Sequence, residues 1–277
     1  MTGARPGPVR VRTGHVEWVA QRLTERDWEI VEIVNRLRIT SGRHLDSLVF
    51  YTIPSERSRV VSRSRVLRRL TAWRVLTPLA RRIGGSQGAG SSVQLYALDT
   101  AGQLLLRERQ AAMGELPRVR RPGTPGERTV RHMAAVSELY AALVTLGRTE
   151  GFVVADFATE PACWWPWPNS RGGYVKPDAY VLLTSGAVRD HWWVEVDMAT
   201  ESLPTIHKKL LVYLDFLRRG QLGPGGVMPR VLISAITEQR RDSIRLLVRR
   251  LAPPADQLFA VMEAAESPRY LCNVLRQ

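Results

Sequence analysis

The densest chemistry in the chain lies between residues 176 and 209. Lys176-Pro177-Asp178 is followed, about one hairpin later, by Trp192-Trp193-Val194-Glu195-Val196-Asp197, and a helix-like stretch then carries Lys208 and Lys209. A hard divalent cation wants several carboxylate oxygens converging on one point, and adjacent strand ends supply such convergence. Asp178 and Glu195 are therefore candidate metal ligands, and an all-oxygen site makes Mg2+ or Mn2+ the expected ion. Lysine occurs nowhere else in the chain: of 40 basic residues 37 are arginine.

The elements that must position these residues are legible as a helix at 129–146, strands at 152–157, 174–183 and 191–198, a helix at 202–219, a strand at 230–235, a helix at 238–251 and a last strand near 258–262. Asp178 falls in the second of these strands and Glu195 in the third. An antiparallel pairing about Ser185-Gly186 aligns residues whose numbers sum to 371–373, which sets Asp178 opposite Glu195. Like charges facing each other destabilise a ladder unless something compensates, and a metal ion would. The alternative is that one or both are exposed edge residues, or that Asp178 caps a turn.

Charge is distributed unevenly. The net charge is +14, and residues 1–126 hold 22 arginines against 10 acids, so nearly all the excess lies in the first half. Such a bias favours polyanions through counterion release, with double-stranded DNA the expected partner; a merely solvated arginine-rich surface is the alternative. Within that half, Thr24 opens a helix with acids in its first turn, a shorter helix fits 41–50, and a third runs from Ser55-Glu56 to about Trp73. Projected at 100° per residue, the third helix places Val60, Val66, Leu67, Leu70 and Trp73 on one side, with Arg57, Ser58, Val61, Ser64, Arg65, Arg68 and Arg69 on the other. The second face suits a recognition helix in a major groove. Two strand candidates, 75–82 and 93–98, joined by a glycine- and serine-rich loop, read as a wing with Arg81 and Arg82 at its base, and a closing helix fits 103–109.

These patterns divide the chain into a basic tail (1–23), a winged helix-turn-helix (24–109), a Pro/Gly/Arg linker (110–127) and a three-layer α/β (α+β) domain with a mixed sheet (128–277). No window approaches the roughly 18 apolar residues of a membrane helix, and Met1–Arg12 lack an apolar segment typical of a secretory signal. Cys163 and Cys272 lie far apart, without CxxC or a histidine at ligand spacing, which points to a reducing cytoplasm and away from a disulfide scaffold or structural zinc.

The element order, with Pro177-Asp178 and Glu195-Val196-Asp197, resembles the PD-(D/E)xK nuclease superfamily. The whole chain, with its amino-terminal winged helix, His132, Glu195-Val196-Asp197, Thr200-Glu201, Lys209-Leu210 and Tyr213, is similar to the replication-relaxation family of actinobacterial plasmids and integrative elements over about residues 24–250. The resemblance implies metal binding by Asp178 and Glu195, a third oxygen from the carbonyl of Val196, and Glu138 as an outer ligand. It departs where the motif lysine is replaced by Asp197. Either Lys209, or failing that Lys208, supplies the amine from the next helix, or Asp197 serves as a further ligand.

Trp164-Trp165-Pro166-Trp167-Pro168 offers either rings for unpaired bases or a core plug. Five histidines, at 15, 44, 132, 191 and 207, include no His-x-His pair, which disfavours a histidine-metal relaxase. The readings are a metal-dependent nickase or endonuclease on mobile-element DNA; a noncatalytic replication or transcription regulator on a degenerate nuclease scaffold; and an adaptor that recruits a relaxase or replication protein. A palindromic target would call for a homodimer.

Overall fold

The computed structural model describes residues 11–79, 93–114, 126–170 and 172–277. The chain divides into two compact units, Met1–Arg131 and His132–Gln277.

The first unit runs α1 (Thr13–Ala20), α2 (Glu25–Leu37), β1 (Thr40–Ser41), α3 (Gly42–Leu48), α4 (Glu56–Ala72), β2 (Leu76–Pro78), β3 (Leu95–Leu98) and α5 (Thr100–Ala112). Side-chain caps start four of the helices, Asp99 accepting from the Thr100 amide on α5. Thr24 and Asp27 form a reciprocal capping box on α2, Ser41 and His44 one on α3, and Ser55 accepts from the Ser58 amide on α4. The strands form an antiparallel sheet in the order β1-β3-β2, with Thr40 opposite Tyr96 and Leu76 opposite Leu98. Ile30, Val34, Leu45, Leu70 and Leu105 are buried beside it. At Gly102 a Cβ would lie 2.3 Å from the Val75 carbonyl oxygen, so the glycine lets α5 approach the chain entering β2.

Sequence patterning misses two of these elements. Residues 13–20, read as part of a tail, form α1, whose Val16 and Val19 are buried, and the two-residue β1 is too short to show a period. On α4 the apolar stripe is narrower than projected: Leu67 and Leu70 are buried, while Val60 is 37% exposed. Arg81, Arg82, the glycine-rich loop and most of the proposed linker lie outside the described residues.

The second unit takes up α6 (Glu127–Glu150), a helix that begins at the end of the first, and continues with β4 (Val153–Thr159), β5 (Trp165–Pro166), β6 (Tyr174–Val175), β7 (Ala179–Ser185), β8 (Val188–Asp197) and α7 (Leu203–Arg218). After a 3-10 turn at Pro224–Gly226 come β9 (Arg230–Ala235), α8 (Glu238–Arg249), α9 (Ala255–Leu258), β10 (Phe259–Glu263) and α10 (Ser267–Leu275). The main sheet has the order β10-β9-β8-β7-β4, with β8, β9 and β10 parallel and β7 and β4 antiparallel, so the α/β class with a mixed sheet holds.

Alternation sorts the side chains into two layers. Tyr180, Trp193, Val231 and Ile233 point to the layer containing Leu210, Tyr213 and Leu214 of α7 and Ile244 of α8. On the opposite face Phe157 meets Tyr140 of α6, and Trp192 meets Tyr270 of α10. The strand expected over 174–183 is two strands, broken at Lys176-Pro177-Asp178, because proline lacks the amide hydrogen a continuous ladder needs. Both cysteines are free and buried. Among the described residues no helix is long and apolar enough to cross a membrane.

Candidate functional site

The β7–β8 hairpin sets the carboxylates face to face. Ala179 pairs with Val194 and Ser185 with Val188 about a turn whose Gly186 has φ +56°, and the same register carried one residue outward puts Asp178 opposite Glu195. Asp178 stands just before β7, yet the ladder continues through it. Its amide donates to the Val194 carbonyl at 2.9 Å, and its own carbonyl accepts from the Glu160 amide at 3.1 Å.

Each carboxylate is held by donors from different elements. One Asp178 oxygen accepts from the Val196 amide at 2.7 Å, and the other lies 3.1 Å from Nε2 of His132 on α6. Glu195, only 7% exposed, accepts from the Tyr213 hydroxyl at 2.5 Å, while Nζ of Lys209 lies 3.5 Å from its second oxygen. Tyr213 and Lys209 meet it together because α7 presents Ile206, Lys209, Leu210 and Tyr213 at helical spacing to the same face of the sheet. Lys209 also lies 3.0 Å from Glu201, just before α7.

Burial and then the charge of Asp178 push Glu195 up to about 7, against the lowering influence of Lys209 and Tyr213. Burial opposes the Lys209 ammonium, but Glu195, Asp178 and Glu201 outweigh it and raise its pKa. His132 follows the same logic: burial lowers it, and the hydrogen bond and charge of Asp178 raise it to a net upward shift. Cys163, whose thiol donates to the Pro177 carbonyl at 3.1 Å, is pushed well up by burial and by Asp178, so it is no thiolate nucleophile.

The remaining expected site residues are placed elsewhere. Asp197 shares the face of Glu195, but Arg240 of α8 takes both its oxygens, at 2.6 and 3.0 Å, and also donates to the Glu201 carbonyl at 2.7 Å. That bidentate pair, with Asp197 6% exposed, occupies the oxygens a further ligand or catalytic group would need. Lys208 is exposed while its neighbour reaches Glu195, and Glu138 is exposed on α6. Val196 meets Asp178 through its amide. Among the described residues, no three or more His, Cys, Asp and Glu side chains are grouped to hold a metal ion. Sequence reading did not assign the Tyr213, His132 and Arg240 contacts. The spacing of Tyr213 four residues after Lys209 was the available signal; the other two partners come from distant helices with no local mark.

In the first unit, α4 exposes Arg57, Ser58, Val61, Ser64, Arg65 and Arg68. Arg69 departs from that face. It donates to both oxygens of the fully buried Asp27 at 2.6 and 2.7 Å and lies over the Trp73 ring, so it serves the fold. Beside the exposed face opens a cleft of about 570 Å3, lined in part by Arg43, Arg63, Ser64, Arg68, Gln94 and Tyr96.

No curated protein and no solved structure matches the chain. A model of the replication-relaxation family matches residues 31–231, from within α2 through the paired carboxylates to β9, and the chain belongs to that family.

Proposed function

We propose that the protein binds duplex DNA of a plasmid or mobile element through α4, as a winged helix, and nicks or cleaves it at the Asp178–Glu195 pair during replication or relaxation. The observation that carries this reading is the opposed carboxylate pair with Lys209 at 3.5 Å. Membership of the replication-relaxation family supports the DNA role. Arg65 and Arg68 are exposed on one helix face, and guanidinium groups suit bases or phosphates.

The carboxylates fit a hard cation of the Mg2+ or Mn2+ type. Such ions often take one or two protein carboxylates and complete their shell with water and substrate phosphate, and a cation would favour the ionised form of Glu195, which burial and then Asp178 oppose. Asp178 and Glu195 would hold the ion, which supplies charge to polarise the phosphodiester and acidify water. Lys209, kept protonated, stabilises negative charge developing on the phosphate. Tyr213 and the Val196 amide fix the two carboxylates in orientation.

Conversion of supercoiled plasmid with Mg2+ or Mn2+ tests this. Wild-type activity lost in both Asp178→Ala and Glu195→Ala supports it. No conversion of cognate DNA with either metal favours a second reading, a noncatalytic replication or transcription regulator acting through DNA or through a relaxase or replication protein. That reading draws on the Asp197–Arg240 pair, which stands where the superfamily motif places its lysine.

A further inference from the structure

We propose that the β5–β6 hairpin is a stacking site for an unpaired base, so that the DNA reaching the carboxylates is single-stranded or locally melted. Its tryptophans have separate roles. Trp167 is a core plug, 3% exposed and edge-on to Phe216 of α7 at 5.2 Å. Trp164 and Trp165 remain partly exposed, and Tyr174 on the facing strand is 43% exposed. Trp164 and Trp165 also lean on that core with part of their surface, so core packing accounts fully for one ring and leaves two partly exposed and Tyr174 at the surface.

Those three are held in place. The Trp165 indole donates to the Leu222 carbonyl at 3.0 Å, and the hairpin pairs Trp165 with Val175 and Pro166 with Tyr174. Trp164 and Tyr174 have centroids 6.3 Å apart at an interplanar angle of 49°. Nζ of Lys176 lies 4.9 Å from the Trp164 centroid, close enough to Gly172 that a Cβ there would sit 2.9 Å from it. The ammonium covers one face of Trp164, so a base would meet the Trp164–Tyr174 edge of the hairpin with a cation at hand for its phosphate. A base inside a duplex already has both faces covered by its neighbours, which selects an unpaired one.

The platform is tied to the carboxylates by chain and by contact. Tyr174 precedes Asp178 by four residues, at most about 14 Å of extended chain, a span of a few nucleotides. Cys163, next to Trp164, bonds the carbonyl of Pro177, next to Asp178. A base seated on the hairpin would thus place a phosphate a few nucleotides away at the pair. This last step rests on the cleavage reading; the stacking site itself does not.

The test is binding of fluorescent oligonucleotides to the full-length protein in EDTA, where no metal-dependent cleavage occurs, with 2-aminopurine reporting stacking. Wild type is expected to bind a forked duplex more tightly than the blunt duplex of the same sequence and to quench 2-aminopurine in the unpaired arm. Trp164→Ala and the surface change Tyr174→Ala should each lose about 5- to 150-fold on the fork with blunt-duplex affinity unchanged, and Tyr174→Phe should restore it. Fork affinity and quenching unchanged in both alanine variants, or fork and blunt affinities falling together, overturns the proposal. Retained plasmid conversion in Asp178→Ala and Glu195→Ala would sink the cleavage reading alone.

Discussion

Replacing Glu195 by glutamine should make the protein more stable above neutral pH, although the residue lies at the centre of the candidate site. The acid ionises near 4.5 in an unfolded reference and is pushed up to about 7 by burial and by Asp178 in the fold. Below 4.5 both states hold the proton, so the group costs nothing. Between 4.5 and 7 the unfolded chain releases it while the fold retains it, and stability falls with rising pH until both states are ionised. At about 1.4 kcal/mol per unit, the full cost above pH 7 is about 3 kcal/mol, against about 1 kcal/mol at pH 5. Glutamine keeps an oxygen for the Tyr213 hydroxyl, forgoes the long Lys209 contact and carries no charge. Glu195→Gln is thus expected to gain about 2–3 kcal/mol at pH 8 and about 1 kcal/mol or less at pH 5. Urea melts in EDTA at the two pH values measure this, with hydrogen exchange of β8 amides assigning the transition to this domain. A variant less stable than wild type at pH 8, or an advantage equal at both pH values, refutes the reasoning. Excess Mg2+ should stabilise wild type and leave the variant unchanged.

Asp197→Ala leaves Arg240 without its main partner in a largely buried site and should cost about 3–5 kcal/mol in urea melts, with no dependence on Mg2+; a metal-dependent loss would restore Asp197 as a ligand. Arg65→Ala and Arg68→Ala should each weaken duplex binding and lower the salt slope by about one, as read by titration across salt concentrations. Arg69→Ala should instead lower stability by about 3 kcal/mol by stranding the buried Asp27, and a salt-slope change without destabilisation would return it to the DNA face. Lys209→Ala should abolish plasmid conversion while Lys208→Ala preserves it, and the reverse order would mean the wrong amine is at the site.

The register that unites Asp178 with Glu195 could be read from sequence because both residues flank one short hairpin, where turn position dictates pairing. Helices α2, α3 and α4 are equally legible, since Thr24, Ser41 and Ser55 mark their starts locally, whereas α1 has no side-chain cap to mark it. What escaped reading depends on distant partners. Arg240 lies 43 residues from Asp197 and Arg69 lies 42 from Asp27, and nothing in the periodicity of their helices marks one arginine for an ion pair and the next for solvent. Pro177 is plain in the sequence, but a proline also sits at strand edges and bulges, so the residue alone does not fix where one strand ends and the next begins. β1 and the β5–β6 hairpin leave no mark in the sequence because two-residue strands exhibit no alternation.

Lys209 lies within reach of two acids, 3.5 Å from Glu195 and 3.0 Å from Glu201. A polyanion approaching a bare pair of carboxylates would be turned away by them. Here the protein carries its own counter-ion on a flexible four-carbon tether, so the carboxylate pair is partly neutralised from within. Because Glu201 can keep the ammonium when Glu195 turns to another partner, the same tether gives the site somewhere to park its positive charge without releasing it to solvent.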